Sequence, residues 1–523
     1  MRRRLARRSL LRTTERDLMP HRTILVPVAV LLALAAGGAA AVAAGPAQPS
    51  WDSLSALPVP EWLQDAKFGI YAHWGLYSVP AFGNEWYAKR MYEGRGAVYE
   101  HHKKTYGDPS TFGYKDFIAR FKAEKFDPAA YADAVAASGA KFAGIAVVHH
   151  DGFLLWASKV NRWNAGAMGP KRDVYGDLAK AFRERGLKTI ATFHHIRTFD
   201  WYLPTNEKVL ADARQAGWDL FDPKYADLYW NRFTGTYDAF VKEWDAKVRE
   251  VINAYHPDVV WFDGGKFQSD EAQNLVLSLL AHYHNQAAAR GNEVGVLNKL
   301  PTSMTFNFPE SYGMLTFEEG RDRPAIVERP WMDDMKISTT SWGYIKGQQY
   351  KPANEIVDGL VDRTARGGGL LLSLCPLPDG TLNAPQKETL AAIGAWLKVN
   401  GEAIFGTRPW TVHAEGGDAK CLRKRNKHTG WKFDRCDASD IRFTRSKDGK
   451  TLYAIALGAA KGPLVIRTLK EGAKAYPGTI GTVQLLGSDA ALAWKRTADG
   501  LCVEMPAKAP SDHAVALKIT PGE

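Results

Sequence analysis

Four short apolar runs that end on polar residues constrain the fold more than any other feature of this sequence. They are Phe68 to Trp74, Phe142 to Val148, Lys188 to Phe193 and Val259 to Phe262. They deliver His73, His149-His150-Asp151, His194-His195 and Asp263 respectively. Runs this short and apolar read as strands buried on both faces, as in a parallel sheet. Helical patterns separate them. Residues 115–138 carry Phe117, Phe121, Ala129, Ala132, Val135 and Ala136 at helical spacing before Gly139, and further helices are expected over 177–185, 237–255 and 270–290. Strands resume at Glu293 to Lys299 and Gly313 to Phe317. About 350 residues of such alternation predict a (β/α) barrel, irregular in its later units, with its polar strand ends on one face.

The stretch Pro257 to Gly265 places Asp263 at the end of its strand, followed by Gly264 and Gly265. Two glycines let the chain turn sharply and let another molecule approach, which suits a catalytic carboxylate in a barrel. The structural alternative is that Asp263 caps the next helix. In Asn84-Glu85-Trp86-Tyr87 a carboxylate stands beside two aromatic rings, the pairing that binds sugar hydroxyls and apolar sugar faces. His149 and His150 suit sugar contact, satisfied core positions or metal ligation. Metal ranks last, because neighbours on a strand point to opposite faces. Glycosidic cleavage needs one group to protonate the leaving oxygen and another to attack or stabilise the anomeric carbon. Thr316-Phe317-Glu318-Glu319-Gly320-Arg321 supplies the second carboxyl, and alternation turns only one of Glu318 and Glu319 inward. Arg321 could pair with the other.

The net charge of +11 invites a nucleic-acid reading, but eight arginines against Glu15 and Asp17 put +6 of it in residues 1–23. The remainder is too weakly basic for a nucleic-acid face. Those arginines precede an apolar run from Ile24 to Ala36 and the small residues Ala41-Val42-Ala43-Ala44, so residues 1–43 read as a signal segment. Secretion or periplasmic export is expected, by the general route or, from Arg7-Arg8, a twin-arginine route, with Met19 as an alternative start. The apolar run is short for a membrane span. Four cysteines occur, and export permits Cys421 to pair with Cys436. Their spacing fits no zinc site, and no metal or other cofactor is expected.

The barrel domain is expected over 50–406. Asn383, Pro385, the stripe Leu390-Ile393-Leu397 and Asn400-Gly401 punctuate its last helix. From 407 to 523 the texture changes to short strands, with hairpin turns at Lys447-Asp448-Gly449-Lys450 and Ala498-Asp499-Gly500. These predict an antiparallel β-sandwich.

Residues 60–410 carry an ordered series of motifs: Lys67-Phe68-Gly69-Ile70, His73-Trp74-Gly75-Leu76-Tyr77-Ser78, Glu85-Trp86-Tyr87, His149-His150-Asp151-Gly152-Phe153, Trp261-Phe262-Asp263, Ser341-Trp342-Gly343-Tyr344, Gly369-Leu370-Leu371-Leu372 and Asn400 to Arg408. In this order they resemble the retaining α-L-fucosidase family of glycoside hydrolases. The resemblance implies an exo-acting enzyme with Asp263 as nucleophile, a covalent fucosyl-enzyme and a fucosylated glycan as substrate. It implies that His73, Glu85, Trp86, His149 and His150 bind the fucose hydroxyls, that Tyr71 and Trp261 surround its methyl group, and that Glu318, with Glu319 as alternative, is the acid/base. The chain departs from the family pattern at His194-His195-Ile196, where His195 is expected to replace a sugar-contacting tyrosine, at Lys299, where an arginine often stands, and at Trp331-Met332-Asp333-Asp334. These departures keep open a related L-galactose-type sugar, and a sugar-binding protein on a degenerate barrel is the rival to an enzyme. A metal-dependent hydrolase is a third, weaker reading.

Overall fold

The computed structural model describes residues 45–522 except 266, 300–307, 321–328, 417–421, 427–429, 434–435, 459 and 461, and describes only the backbone of 422–433. The expected signal segment and Arg321 lie outside the described residues. Eight parallel strands close a barrel in sequence order. They are β1 (Phe68–Ala72), β2 (Phe142–Val148), β3 (Lys188–Phe193), β4 (Val259–Phe262), β5 (Gly295–Lys299), β6 (Met314–Glu318), β7 (Trp331–Lys336) and β8 (Gly368–Leu374). Alternation along each strand sorts its residues. Tyr71, Phe142, Ile190, Val259, Trp261, Leu297, Met314, Met332 and Leu371 fill the interior, closed at one end by Leu63 and Ala66. Their strand neighbours Ile70, Ile145, Ala191, Val260, Phe262, Val296 and Leu370 pack outward under the helices. This parity decides which residues beyond each strand reach the site.

One expectation needs correction. The single helix over 115–138 is a 3₁₀ turn, Tyr114–Arg120, and a separate helix, Pro128–Ala137. Asp127 caps the second by accepting from the Ala129 and Ala130 amides, and Pro128 occupies its first turn, so the apolar spacing spans a break. The later barrel units are irregular, as expected: among the described residues no helix separates β5 from β6 or β6 from β7. Helix Ala353–Ala365 joins β7 to β8, and β7 is a full barrel strand although it reads Trp-Met-Asp-Asp-Met-Lys.

Beyond the barrel, antiparallel sheets of five and three strands enclose a second core that includes Phe443, Ile466, Leu485, Leu501, Val503 and Ile519. Both expected hairpins form, the first between Ile441–Arg445 and Leu452–Ala456 and the second between Trp494–Arg496 and Leu501–Glu504. Strand Arg408–Glu415, unmarked by any turn signal, lies at the edge of the five-stranded sheet. Cys436 is disulfide-bonded, while Cys375 and Cys502 are free. Its expected partner Cys421 lies outside the described residues.

A buried ion cluster ties the barrel to this sandwich. Asp362, on helix Ala353–Ala365, accepts from Arg442 Nε at 2.7 Å and Arg366 Nε at 3.1 Å, and the Arg442 and Asp362 side chains are fully enclosed. Removing one partner of such a cluster leaves charge without its counter-ion in a low-dielectric setting, at a cost of about 3–5 kcal/mol. Asp362→Ala is therefore expected to lower stability by roughly 3 kcal/mol or more in urea unfolding. A loss under about 1 kcal/mol would show the cluster to be energetically idle.

Candidate active site

The site is built where the strands end. The parallel ladder runs one residue past several strands: His73 N–H donates to the Leu374 carbonyl at 2.9 Å, His194 N–H to Val148 at 3.0 Å, and Asp263 N–H to Phe193 at 2.9 Å. These residues are thereby fixed as firmly as the strands themselves. Interior parity carries Tyr71 on to His73, Ile190 on to His194, Trp261 on to Asp263, Leu297 on to Lys299, and Met314 on to Glu318. Asp263 does not cap the next helix. Ser269 does, accepting from the Ala272 amide. Gly264 and Gly265 turn at φ +77° and +87°, and a Cβ on Gly264 would meet Arg197 Nε and His150 Cε1 at 3.1 Å, so the turn after Asp263 requires glycine.

One ammonium joins the two carboxyls. Lys299 Nζ donates to Asp263 Oδ1 at 2.7 Å and lies 2.9 Å from Glu318 Oε2. Burial alone would raise the Asp263 pKa, but Lys299 and then His194, whose Nε2 is 3.6 Å from Asp263 Oδ2, hold it well below the usual carboxylate range. Burial also opposes the charge on Lys299, yet Asp263, Glu318 and Asp334 together keep its ammonium protonated well above the ordinary lysine range. Lys299 packs 5.5 Å from the centroid of Trp261, which meets Tyr71 edge-on at 5.7 Å.

Four histidines form the opposite wall. The His73 ring lies 5.5 Å from His149 and 5.1 Å from His194, and His149 lies 4.3 Å from His150. A register shift between Ala146 and Val148 bends the end of β2, which lets both His149 and His150 face the site despite strand alternation. Burial lowers the pKa of all four, His150 to about 3 and His194 to about 4, so all are neutral at neutral pH. Neutral imidazoles both donate and accept. His73 Nδ1 pairs with Ser373 Oγ at 2.8 Å and His150 Nδ1 with the His194 carbonyl, while His149 Nδ1 and both His194 nitrogens have no hydrogen-bond partner among the described residues. Trp86 meets His150 edge-on at 5.5 Å with the Arg197 guanidinium 5.4 Å from its ring, and Trp342 lies 5.2 Å from His73. Glu85 is buried one step behind, accepting from Ser341 Oγ at 3.1 Å and the Trp342 amide at 3.0 Å.

Two sequence-level candidates are not brought to this cluster. His195 has the opposite parity to His194 and packs outward, 5.9 Å from Trp244 of helix Tyr237–Tyr255. His194 stands in the site instead, and counting alternate residues from Ile190 would have chosen it. Glu319 is buried outside the cluster between Lys351 Nζ at 3.0 Å and Lys336 Nζ at 3.3 Å. Trp342, Trp201, Arg197 and Asp334 were not identified as site residues from sequence. Trp342 lies within a recognised motif, Trp201 in an Asp200-Trp201 pair that keeps the family pattern and Asp334 in a stretch that departs from it, whereas Arg197 carried no signal. Among the described residues no group of three or more His, Cys, Asp or Glu is arranged to hold a metal ion, and no helix is long and apolar enough to cross a membrane.

A family model for the alpha-L-fucosidase domain matches residues 34–402, and one for the alpha-L-fucosidase C-terminal domain matches residues 435–520. An alpha-L-fucosidase of Branchiostoma floridae is 30% identical over 476 residues, covering 88% of this chain and 91% of its own. The human plasma alpha-L-fucosidase is 31% identical over 464 residues, covering 88% of each chain. A crystal structure of Thermotoga maritima alpha-fucosidase with a mechanism-based inhibitor superposes with a TM-score of 0.71 at 29% identity, over 90% of this chain and 99% of that one. With matching models over both its barrel and its C-terminal sheets, the chain belongs to the α-L-fucosidase family of glycoside hydrolases.

Proposed function

We propose that the protein is an exported, retaining exo-α-L-fucosidase in which Asp263 is the nucleophile and Glu318 the acid/base. The observation that carries this reading is the ammonium shared by the two carboxyls. Contacts of 2.7 and 2.9 Å to one nitrogen keep Asp263 Oδ1 and Glu318 Oε2 within about 5.6 Å of each other, which supports the spacing of retaining enzymes, about 5–5.5 Å, over the 6.5–9.5 Å of inverting ones. Asp263, held ionised, attacks the anomeric carbon as Glu318 protonates the departing oxygen. A fucosyl ester forms on Asp263. Glu318 then takes a proton from water, which attacks the same carbon from the face the leaving group vacated.

His73, His149, His150 and His194 form the hydroxyl-binding wall, with Trp86 and, behind it, Glu85. Tyr71 and Trp261 are the apolar floor against which a C5 methyl group would lie. The export reading rests on the arginines and apolar run of residues 1–43.

The decisive experiment uses a panel of 4-nitrophenyl glycosides with both anomers of L-fucose, α-L-galactose and β-D-galactose, with proton NMR of the first sugar released. Release from the α-L-fucoside, with the α-anomer of free fucose appearing first, is expected. First appearance of the β-anomer would overturn the retaining mechanism. Faster release from α-L-galactoside would reassign the sugar.

A further inference from the structure

The histidines of the wall both donate and accept, but at the corner nearest Trp86 stand two groups that only donate. Arg197, in the 3₁₀ turn His195–Thr198 that follows β3, is half-buried. Its guanidinium lies 5.4 Å from the Trp86 ring and against the turn after the nucleophile, where a Cβ on Gly264 would meet Nε at 3.1 Å and Nη2 at 3.6 Å. It makes no hydrogen bond or ion pair with any described residue, and its Nε is enclosed without an acceptor. Asp263 attracts it across that turn, but is itself bonded to Lys299 at 2.7 Å and lies 3.6 Å from His194. Trp201 closes the same corner, 5.4 Å from His150 and 5.7 Å from Trp86, and its enclosed Nε1–H has no acceptor either. The backbone that carries both is pinned. Thr198 Oγ1 donates to the His150 carbonyl at 2.8 Å, Tyr202 Oη to the Asp151 carbonyl at 2.7 Å, and Asp200 N–H to the Trp230 carbonyl at 2.9 Å.

An arginine offers five N–H donors and an indole one, and neither accepts. Left without partners beside a binding site, they match a group that only accepts. A hydroxyl brings a hydrogen of its own. An oxyanion brings none, carries the complementary charge and can fill the guanidinium fork with two oxygens at once. The geometry points to a specificity role: Arg197, walled by Trp86 and Trp201, holds an oxyanion that the substrate carries beside the bound sugar. That oxyanion is a sulfate ester on a ring hydroxyl or a carboxylate on the group to which the sugar is linked, since both present the same acceptor oxygens. The corner borders both positions, meeting the hydroxyl wall through His150 and Trp86 and the nucleophile's turn through Gly264. The inference rests on L-fucose binding against the histidines.

Two arms test it on the full chain, in the parent enzyme and in Arg197→Ala, with Arg197→Gln as a second variant should alanine disturb folding. In the first, L-fucose and its 2-, 3- and 4-sulfates are compared as competitive inhibitors of 4-nitrophenyl α-L-fucoside hydrolysis. In the second, kcat/KM on 3-carboxyphenyl α-L-fucoside is compared with that on its neutral methyl ester. The parent enzyme should favour one of the anions over its neutral counterpart by about tenfold or more, and the variants should reduce that preference to less than about twofold, whatever they do to the neutral sugar. A preferred sulfate identifies the sugar as the carrier of the anion, and a preferred carboxyphenyl fucoside identifies the leaving group. No preference for any anion in the parent enzyme, or a preference that persists in the variants, would overturn the inference. If L-fucose itself fails to inhibit, the sugar assignment fails and takes the inference with it. If L-fucose inhibits and no anion is preferred, only the inference falls.

Discussion

Asp263→Gly is expected to reduce turnover of 4-nitrophenyl α-L-fucoside by at least ~10⁴-fold while leaving the protein folded. The loss follows from position. Among the described residues Asp263 is the carboxylate that contacts Lys299 at 2.7 Å and also lies 3.6 Å from His194 of the histidine wall. Folding should survive, because Lys299 keeps its contact with Glu318 and the variant no longer has to hold a desolvated carboxylate. Sodium azide should restore part of the activity and yield the β-fucosyl azide, since a small anion entering where the carboxylate was attacks from the same face. The pH dependence has a definite sign. The Asp263 pKa is depressed, so the group stays ionised through and below the ordinary carboxylate range, and no acid limb should appear from it between pH 7 and 4. Burial lowers His194 to about 4 despite Asp263, and His150 to about 3. Near-normal activity of the glycine variant would remove Asp263 from the mechanism.

Legibility in the sequence followed the chemistry of the strands. β1, β2 and β4 announce themselves because both faces of each are apolar and their ends are abruptly polar. β7 does not. Asp334 faces the site, while Asp333 points outward to accept from Arg363 Nε at 2.6 Å and from the Gly320 amide at 3.0 Å. Acidic residues on both faces conceal a buried strand, since each is satisfied by a partner distant in sequence. The site was readable to the level of strand ends but not of single residues. His194 and His195 differ only in parity, which needs the strand boundary to be known to one residue. Arg197 and Trp201 enter through the loop after β3, where no periodicity predicts direction. Glu319 looked equivalent to Glu318 because adjacent glutamates carry the same chemistry. What distinguishes them is the pair of lysines, Lys336 and Lys351, drawn in from elsewhere in the chain.

That distinction makes the two glutamates separable by experiment. Glu318→Ala is expected to lower kcat/KM by about 10²–10⁴-fold on a fucoside with a poor leaving group, such as 4-methoxyphenol. On the 2,4-dinitrophenyl fucoside, whose leaving group departs without a proton, the first step should stay within about tenfold of the parent enzyme, and azide should accelerate turnover by replacing base-assisted water. Stability should change little, because Lys299 retains Asp263 at 2.7 Å. Glu319→Ala should do the reverse. It strips a carboxylate from between two buried ammonium groups, for which burial, outweighing Glu319 itself, already lowers the Lys351 pKa to about 8. A stability loss of about 3 kcal/mol or more is expected, with no dependence of rate on the leaving group. Glu318 shares the Lys299 ammonium with Asp263, whereas Glu319 lies between Lys336 and Lys351, and the leaving-group dependence is therefore expected from Glu318. A leaving-group dependence that appeared in the Glu319 variant and not in the Glu318 variant would exchange their roles.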